Sequence, residues 1–507
     1  MISAQNRQPL LNGSKILLLF CGLSLLLTSC ELLKPVSDVA SSEKEEDKQQ
    51  AAVIQGSRVY NPQTDAWETV QQQTILPVDT VVWRETAENI YPPILSKPDA
   101  FPIQQLPAAG KPVVGSEPIR VDPNGSVFYD TYKISLLLPL FADQPVQNNT
   151  IDPNALWGLH FLSGFRMALD ELSTQGHKLQ VSVLDTKANE LTTAELLRNN
   201  ADLKAAHLII GPYKRENVAQ VAQHVRNTQQ VLVSPFSAAV NISSANPNYI
   251  QVNPTLETHC RSIMEYIYDK FDRDAILLVA RNDTAEISRL QFFNDEYRRL
   301  NGGKDTLPLQ QLVVQNYNSP TFTQDPDIIR YLDGNESSDT TVIIIPSWSD
   351  EKYINALLEK IYNSLDDYQE VIVFGMPQWM NFEQIDLELY HELNLHLTSS
   401  TFLDPMRTDL LDFRMKFFER FGDIPREEAY NGYSIALYFC HQLRQHGTRF
   451  QYVMEKEPED VLHTRFAFRK VVRINPNDRE LPVIDRWENK FVNILRYQDY
   501  QFIPANR

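Results

Sequence analysis

Cysteine is scarce in this chain: there are four in 507 residues, and Cys21 and Cys30 fall within the first thirty. Only Cys260 and Cys440 remain for a globular part, so a multi-disulfide scaffold is excluded. These two lie far apart in sequence, each in a helical pattern; one bridge or two buried free thiols would both fit. A dense basic run is also missing, which argues against nucleic acid as a partner. The balance is acidic, 65 Asp+Glu against 47 Lys+Arg, for a formal net charge of −18. Acidity of this size speaks for solubility and names no ligand. Catalytic motifs are absent too: no G-x-S-x-G, no Walker loop and no G-x-G-x-x-G. The nearest zinc-like string, His391-Glu392-Leu393-Asn394-Leu395-His396, spaces its histidines five apart, so a helix would not put them on one face. An enzyme is therefore not expected, nor a cofactor or a metal site. No solenoid-type repeat is visible.

What is present begins with an export signal. Arg7 and Lys15 precede an almost unbroken apolar run from Ile16 to Leu27, too short for a secure membrane span. The run ends in Leu27-Thr28-Ser29-Cys30, which resembles the lipobox of bacterial lipoproteins. The resemblance implies that residues 1–29 are removed and that Cys30 is lipidated. Each acyl methylene buried in a bilayer is worth about 0.8 kcal/mol, so several chains on one Cys anchor firmly. Glu31 is not a retention residue of the Asp type, which points to the outer membrane, facing the periplasm. The acidic run Glu43 to Asp47 is faintly similar to surface-export signals of some lineages, but a solvated tether is the commoner meaning of such a run.

Residues 30–56 are polar and charged, the composition of a disordered tether. Residues 57–130 carry recurrent prolines with short apolar patches such as Thr80-Val81-Val82-Trp83 and read as an extended arm. At Tyr132 the pattern changes to strict alternation of buried-strand runs and amphipathic helices. Strand-like runs are Ile134–Leu138, Leu179–Val183, Leu208–Ile210 and Val231–Val233, then Ala275–Val279, Leu312–Val314, Val342–Ile345 and Val371–Phe374. Helical stripes lie between them, as in Phe161, Phe165, Ala168 and Leu172. Such alternation means right-handed βαβ units and mostly parallel sheets; two sets mean two doubly wound lobes. Two late helices follow, around Phe413 and Tyr433, and the tail suggests strands at Phe466–Val472, Phe491–Leu495 and Tyr500–Ile503.

The order of these segments resembles the leucine-binding-protein-like family of type I periplasmic binding proteins. The stretches that carry it are ISLLLPLFADQ, HLIIGP, VLVSPFSAA, YIQVNPTLETH and FFERFGDIPREEAYNGYSIALYF, the last with Phe421 where the family has Tyr. The resemblance covers about residues 132–503 and implies a Venus-flytrap of two α/β lobes joined by several crossings. It divides the chain into lobe 1 at 131–253 with about 397–445, and lobe 2 at 254–396 with about 460–503.

In open α/β sheets a ligand binds beyond the carboxyl ends of the strands. Here those ends offer Tyr213, Lys214, Arg215 and Ser237 in the first lobe, and Arg281, Asp283, Trp348, Gln378 and Trp379 in the second. Lys214 and Arg215 could hold an anionic group with help from the helix that follows, or could be a solvated loop tip. Trp379 could stack on a ligand or cap the sheet. The family's amino-acid binders place a Thr on the third residue after Ser-Pro; Ala238 stands there, with Ser237 beside it. A zwitterion lacking that partner is disfavoured, so the expected ligand is not an ordinary α-amino acid.

Two functions fit. One is capture of a small solute for an ABC importer or a sensor. The other is interaction with a periplasmic protein, since some outer-membrane lipoproteins of this fold regulate peptidoglycan synthases and begin with a strand similar to Lys133–Leu140. The long tether suits the second.

Overall fold

The computed structural model describes residues 58–61, 66–69, 117–143, 151–271, 276–303, 308–314, 340–365, 370–473 and 483–505. The signal, Cys30 and the tether lie outside them. The chain divides into two units, residues 1–83 and 84–507. In the first, strands β1 (Arg58–Asn61) and β2 (Ala66–Thr69) pair antiparallel, with Tyr60 opposite Trp67. The second contains both lobes.

The second unit opens with a small hairpin, β3 (Arg120–Val121) and β4 (Val127–Phe128). Next comes β5 (Tyr132–Leu138), apolar on both faces because helices cover both. Its Leu136 and Leu138 enter one core while Leu137 enters the other. Helix α1 (Leu156–Thr174) lays Phe161, Phe165, Ala168 and Leu172 on the first of these. Each such Phe contributes about 1.5–3 kcal/mol by burial. The lobe continues through β6 (Leu179–Asp185), α2 (Glu190–Asn199), the short α3 (Ala201–Ala205), β7 (Leu208–Ile210), α4 (Arg215–Val225), β8 (Val231–Ser234) and β9 (Tyr249–Gln251). Asn189 caps α2, accepting from the Thr192 N–H. Helix α4 buries Val218, Val221 and Val225 on the second core.

Lobe 2 repeats the plan with α5 (Leu256–Lys270), β10 (Ile276–Arg281), α6 (Thr284–Leu300), β11 (Gln310–Val314), β12 (Thr340–Ile344), α7 (Glu351–Tyr362), β13 (Glu370–Phe374), α8 (Leu387–Glu392) and β14 (His396–Ser399). Then α9 (Thr408–Phe421) and α10 (Glu427–His446) return to lobe 1. Helices α1 and α10 meet through reciprocal glycines. A Cβ on Gly164 would fall 1.8 Å from the Ala429 carbonyl oxygen, and one on Gly432 would fall 2.2 Å from that of Phe161. No larger residue allows this approach.

The tail holds β15 (Glu459–Val461), β16 (Thr464–Phe466), β17 (Phe468–Arg473), β18 (Val483–Asn489), β19 (Asn493–Gln498) and β20 (Gln501–Pro504). Lobe 1 is a seven-stranded sheet in the order β17-β18-β9-β8-β7-β5-β6; lobe 2 is another, β11-β10-β12-β13-β14-β19-β20. Both are parallel except at the tail strands, which pair antiparallel at β17–β18, β14–β19 and β19–β20. Strand β18 joins β9 in parallel.

Two boundaries and one segment differ from the sequence expectation. Residues 460–503 do not all join lobe 2, because β17 and β18 complete lobe 1. Nor does lobe 1 begin at 131: Val127 and Tyr129 are buried in its core. Tyr129 stacks on His207 with ring centroids 4.2 Å apart, and the Val127 N–H donates to Thr448 Oγ1. The end of the Pro-rich arm is thus packed structure. The hairpin β1–β2 also lies within the stretch read as an extended arm. Cys260 and Cys440 are both free and buried, one in each lobe's core. Burial pushes the Cys440 thiol up to about 12, so neither a bridge nor reactivity is built here.

Candidate functional site

At the carboxyl end of lobe 1, the loops are set by Asp185, the last residue of β6. Its Oδ1 accepts from the Leu140 and Lys187 N–H groups at 2.9 Å each, and its Oδ2 from the Ala142 N–H at 2.8 Å. Both oxygens are therefore engaged in holding the loop after β5 to the loop after β6. Phe141, Lys187 and Ala188 all have positive φ in these two loops, a conformation the Asp185 bonds sustain. Gly158 lies against this loop; a Cβ there would be 2.8 Å from the Pro139 carbonyl oxygen.

The residue before it, Trp157, anchors an aromatic group. Its ring lies 4.7 Å from Tyr213 and 5.6 Å from Phe236, and those two are 4.6 Å apart. Phe161 supports Trp157 from below, stacked at 5.4 Å. Tyr213 is half-buried, and Phe236 is 44% exposed. The indole Nε1 of Trp157 is buried and finds no acceptor among the described residues. Lys214 and Arg215 are exposed beside Tyr213 and start α4, whose cap residue Lys214 makes no side-chain capping bond. Arg215 leans toward the loop after β8, its Nη2 3.4 Å from the Val240 carbonyl. Ser237 is buried; its Oγ accepts weakly from the Ala239 N–H at 3.4 Å, and Ala238 is exposed.

The candidates of lobe 2 are occupied within lobe 2. Arg281 donates from Nε and Nη2 to Glu286 Oε1 at 2.8 and 2.6 Å, and from Nη1 to Asp350 Oδ2 at 2.5 Å. Its guanidinium also lies 5.1 Å from the centre of the Tyr353 ring. Asp283 caps α6, accepting from the Ala285 and Glu286 N–H groups. Trp379 is fully buried, donates to the Ser347 carbonyl at 2.8 Å and packs so closely that a Cβ on Gly375 would sit 2.4 Å from its ring. It caps the sheet. Trp348 packs against the same core, and Gln378 is half-buried in the turn before Trp379.

Sequence reasoning passed over Trp157, although its i,i+4 spacing to Phe161 was a usable signal. It also missed the joint between the lobes. Glu488 of β18 is buried and receives the Thr255 N–H at 3.1 Å, the Thr255 and Thr258 hydroxyls at 2.7 and 2.6 Å, and Arg486 at 2.7 Å, with Lys490 at 2.9 Å. Burial alone would raise this carboxyl; Lys490, Arg486 and the two threonines outweigh it and hold the group well below the usual carboxylate range. The bonds tie the crossing from β9 to α5 to the one from β18 to β19. Asn493 adds the crossing after β14 by donating to the Ser399 carbonyl at 3.1 Å. Asn253, in the first crossing, donates to the Phe236 carbonyl at 2.8 Å and so links the joint to the aromatic rim.

Residues 153–291 match the sequence profile of a family described as periplasmic binding protein. A solved structure from Rhodospirillum rubrum, provisionally described as a branched-chain amino acid ABC transporter, superposes with a TM-score of 0.51 at 14% identity. It covers 74% of this chain and 100% of that one. The chain has the fold of the type I periplasmic binding proteins. Other neighbours are an ABC transporter substrate-binding protein from Desulfitobacterium hafniense in complex with Leu, and the C-domain of LpoA from Haemophilus influenzae, a regulator of PBP1A. The first is 17% identical with a TM-score of 0.43, over 74% of this chain and 100% of that one. The second is 14% identical with a TM-score of 0.46, over 74% and 99%. No curated protein matches the chain. In this binding-protein fold the described residues include no helix long and apolar enough to cross a membrane.

Two surface grooves of about 260 and 390 Å³ lie elsewhere on lobe 1. Met167, Asp412 and Tyr433 line one, and His177, His441 and Arg444 the other. Neither includes a strand-end residue.

Proposed function

We propose that this chain is a lipid-anchored protein of the cell envelope, on the outer membrane facing the periplasm. It captures a small solute at the carboxyl ends of the lobe 1 strands, without catalysis or a cofactor, and that solute is not an ordinary α-amino acid. The observation that carries this reading is the state of Asp185. An ammonium group needs available acceptors, and three acceptor positions of this strand-end carboxylate are already taken by backbone N–H groups. Ala238 offers no hydroxyl for a carboxylate, and a buried zwitterion without partners is costly. Calorimetry with the proteinogenic amino acids should give no Kd tighter than about 1 mM. Micromolar binding of any of them, lost in Ser237→Ala, overturns the reading.

A second reading is a protein-interaction lipoprotein that regulates cell-wall synthesis. The long polar and Pro-rich stretch between Cys30 and the first lobe favours it, because it provides reach across the periplasm. Co-purification from membranes with a peptidoglycan synthase rather than a permease decides for it.

A further inference from the structure

The aromatic rim and its neighbouring cations specify more than a vacancy for a solute. Resting on the solute-capture reading above, we propose that the ligand is an aryl anion: a flat aromatic body with a carboxylate or similar anionic tail. The body lies against Tyr213 and Phe236, and the tail meets Lys214 and Arg215.

Three ring pairs within 4.7, 4.6 and 5.6 Å form one group at the mouth of the strand ends. Phe236 is 44% exposed although its partners are half-buried, so the group keeps an uncovered side. Offset or edge-on contact with a further ring is worth about 0.5–1.5 kcal/mol beyond area burial. The buried Nε1–H of Trp157, which finds no acceptor among the described residues, adds a donor within the same group.

The charge of the rim sets the tail. In a chain of net charge −18, two adjacent cations follow Tyr213 directly. Both side chains are exposed, and neither is in an ion pair with a carboxylate among the described residues. The opposing group is Glu216, exposed on the first turn of α4. At the start of α4 two cations stand against one carboxylate, and the free N–H groups of the helix add in the same direction, while Lys187 and Asp143 in the neighbouring loops pair with each other. Asp185 already spends three acceptor positions on backbone N–H groups, so little of it is left to receive an ammonium. The rim thus favours an anion, disfavours a cation and rejects the zwitterion whose ammonium would face Lys214.

The test is calorimetry on the purified protein with 3-phenylpropionate and benzoate as probes. Phenylalanine, benzyl alcohol and propionate serve as controls lacking, in turn, the net charge, the anion and the ring. An aryl carboxylate should bind about tenfold or more tightly than each control, through the charge-assisted bond against phenylalanine and benzyl alcohol and through the ring contact against propionate. The double substitution Lys214→Gln with Arg215→Gln should weaken 3-phenylpropionate about tenfold while leaving the melting temperature in place, as both side chains are exposed. Phe236→Leu should weaken it and leave propionate unchanged. Equal binding of phenylalanine and 3-phenylpropionate overturns the proposal, as does an affinity indifferent to the charge substitutions. A thermal-shift screen run in parallel separates the two levels. Stabilisation by some other solute, with the aryl carboxylates silent, overturns the ligand class and leaves solute capture standing. Silence of every solute overturns both.

Discussion

At the end of β8 in lobe 1, Phe236 projects into solvent beside Tyr213, with Lys214 and Arg215 exposed next to them. At the equivalent ends of β12 and β13 in lobe 2, Ser347 and Trp379 are both buried, and the indole donates to the Ser347 carbonyl. Arg281 at the end of β10 is held by Glu286 and Asp350, whereas Arg215 touches only a carbonyl at 3.4 Å. The same βαβ plan thus produces one lobe whose strand-end arginine and tryptophan are held internally and one where the corresponding cations and rings stay exposed. Residue type does not distinguish them, since both offer Arg, Trp and Ser. What distinguishes the two arginines is that Arg281 has carboxylates of its own lobe within reach and Arg215 has only a carbonyl.

The largest expected effect tests the lobe 2 half of this contrast. Arg281→Met removes the cation from Glu286, whose side chain is buried, and should cost about 3 kcal/mol or more in chemical denaturation. Phe236→Ala in lobe 1 should cost less than about 1 kcal/mol in the same experiment, because an exposed ring contributes little to folding. If Arg281→Met melts like the parent, lobe 2 is not internally satisfied and the contrast fails.

Acid sharpens it next. His207 and His463 in lobe 1 and His259 and His396 in lobe 2 are buried, and burial holds their imidazoles down, to about 4 for three of them and about 3 for His463. Their ordinary value is 6.5. Between that value and the depressed ones the unfolded chain binds more protons, so stability is full above about pH 6.5 and falls as pH drops toward 4. Glu265, raised to about 7 chiefly by burial and by Glu296, works in the opposite direction with Glu428 and Asp460, but His160, His177 and His224 are depressed too, so three acids face seven histidines. The melting temperature should therefore fall between about pH 7.5 and about pH 5. Because the histidines are shared between lobes, one transition should shift as a whole; two separating transitions would mean that the lobes melt independently.

Much of this was legible in the sequence, and the gaps have physical causes. The alternation of apolar runs and helical stripes locates eight strands of the two parallel sheets, because a strand buried on two faces is nearly all apolar, but not β9 or β14, which carry Gln251 and His396 to Ser399. Strand β18 escaped because Val483–Asn489 carries Asp485, Arg486 and Glu488, and its burial rests on mutual pairing rather than on apolar side chains. The end of the arm escaped because Ser126 to Tyr129 dock through a few specific bonds to residues some 320 positions away, such as Ser126 to the His446 carbonyl. Strand-end positions could be read as candidates. Which were already engaged could not, since Asp350 meets Arg281 across 69 residues of sequence.

The split of the tail between the lobes sets an order of events. Strand β18 fills the place between β9 and β17, and β19 closes the open side of β14, so residues 483–498 are needed by both sheets. While the ribosome is still making residue 480, each lobe has an exposed strand edge with unpaired N–H and C=O groups. Neither can finish folding, and Glu488 has not yet arrived to fasten the crossings. Residues 483–498 are thus the segment at which both sheets become committed at once.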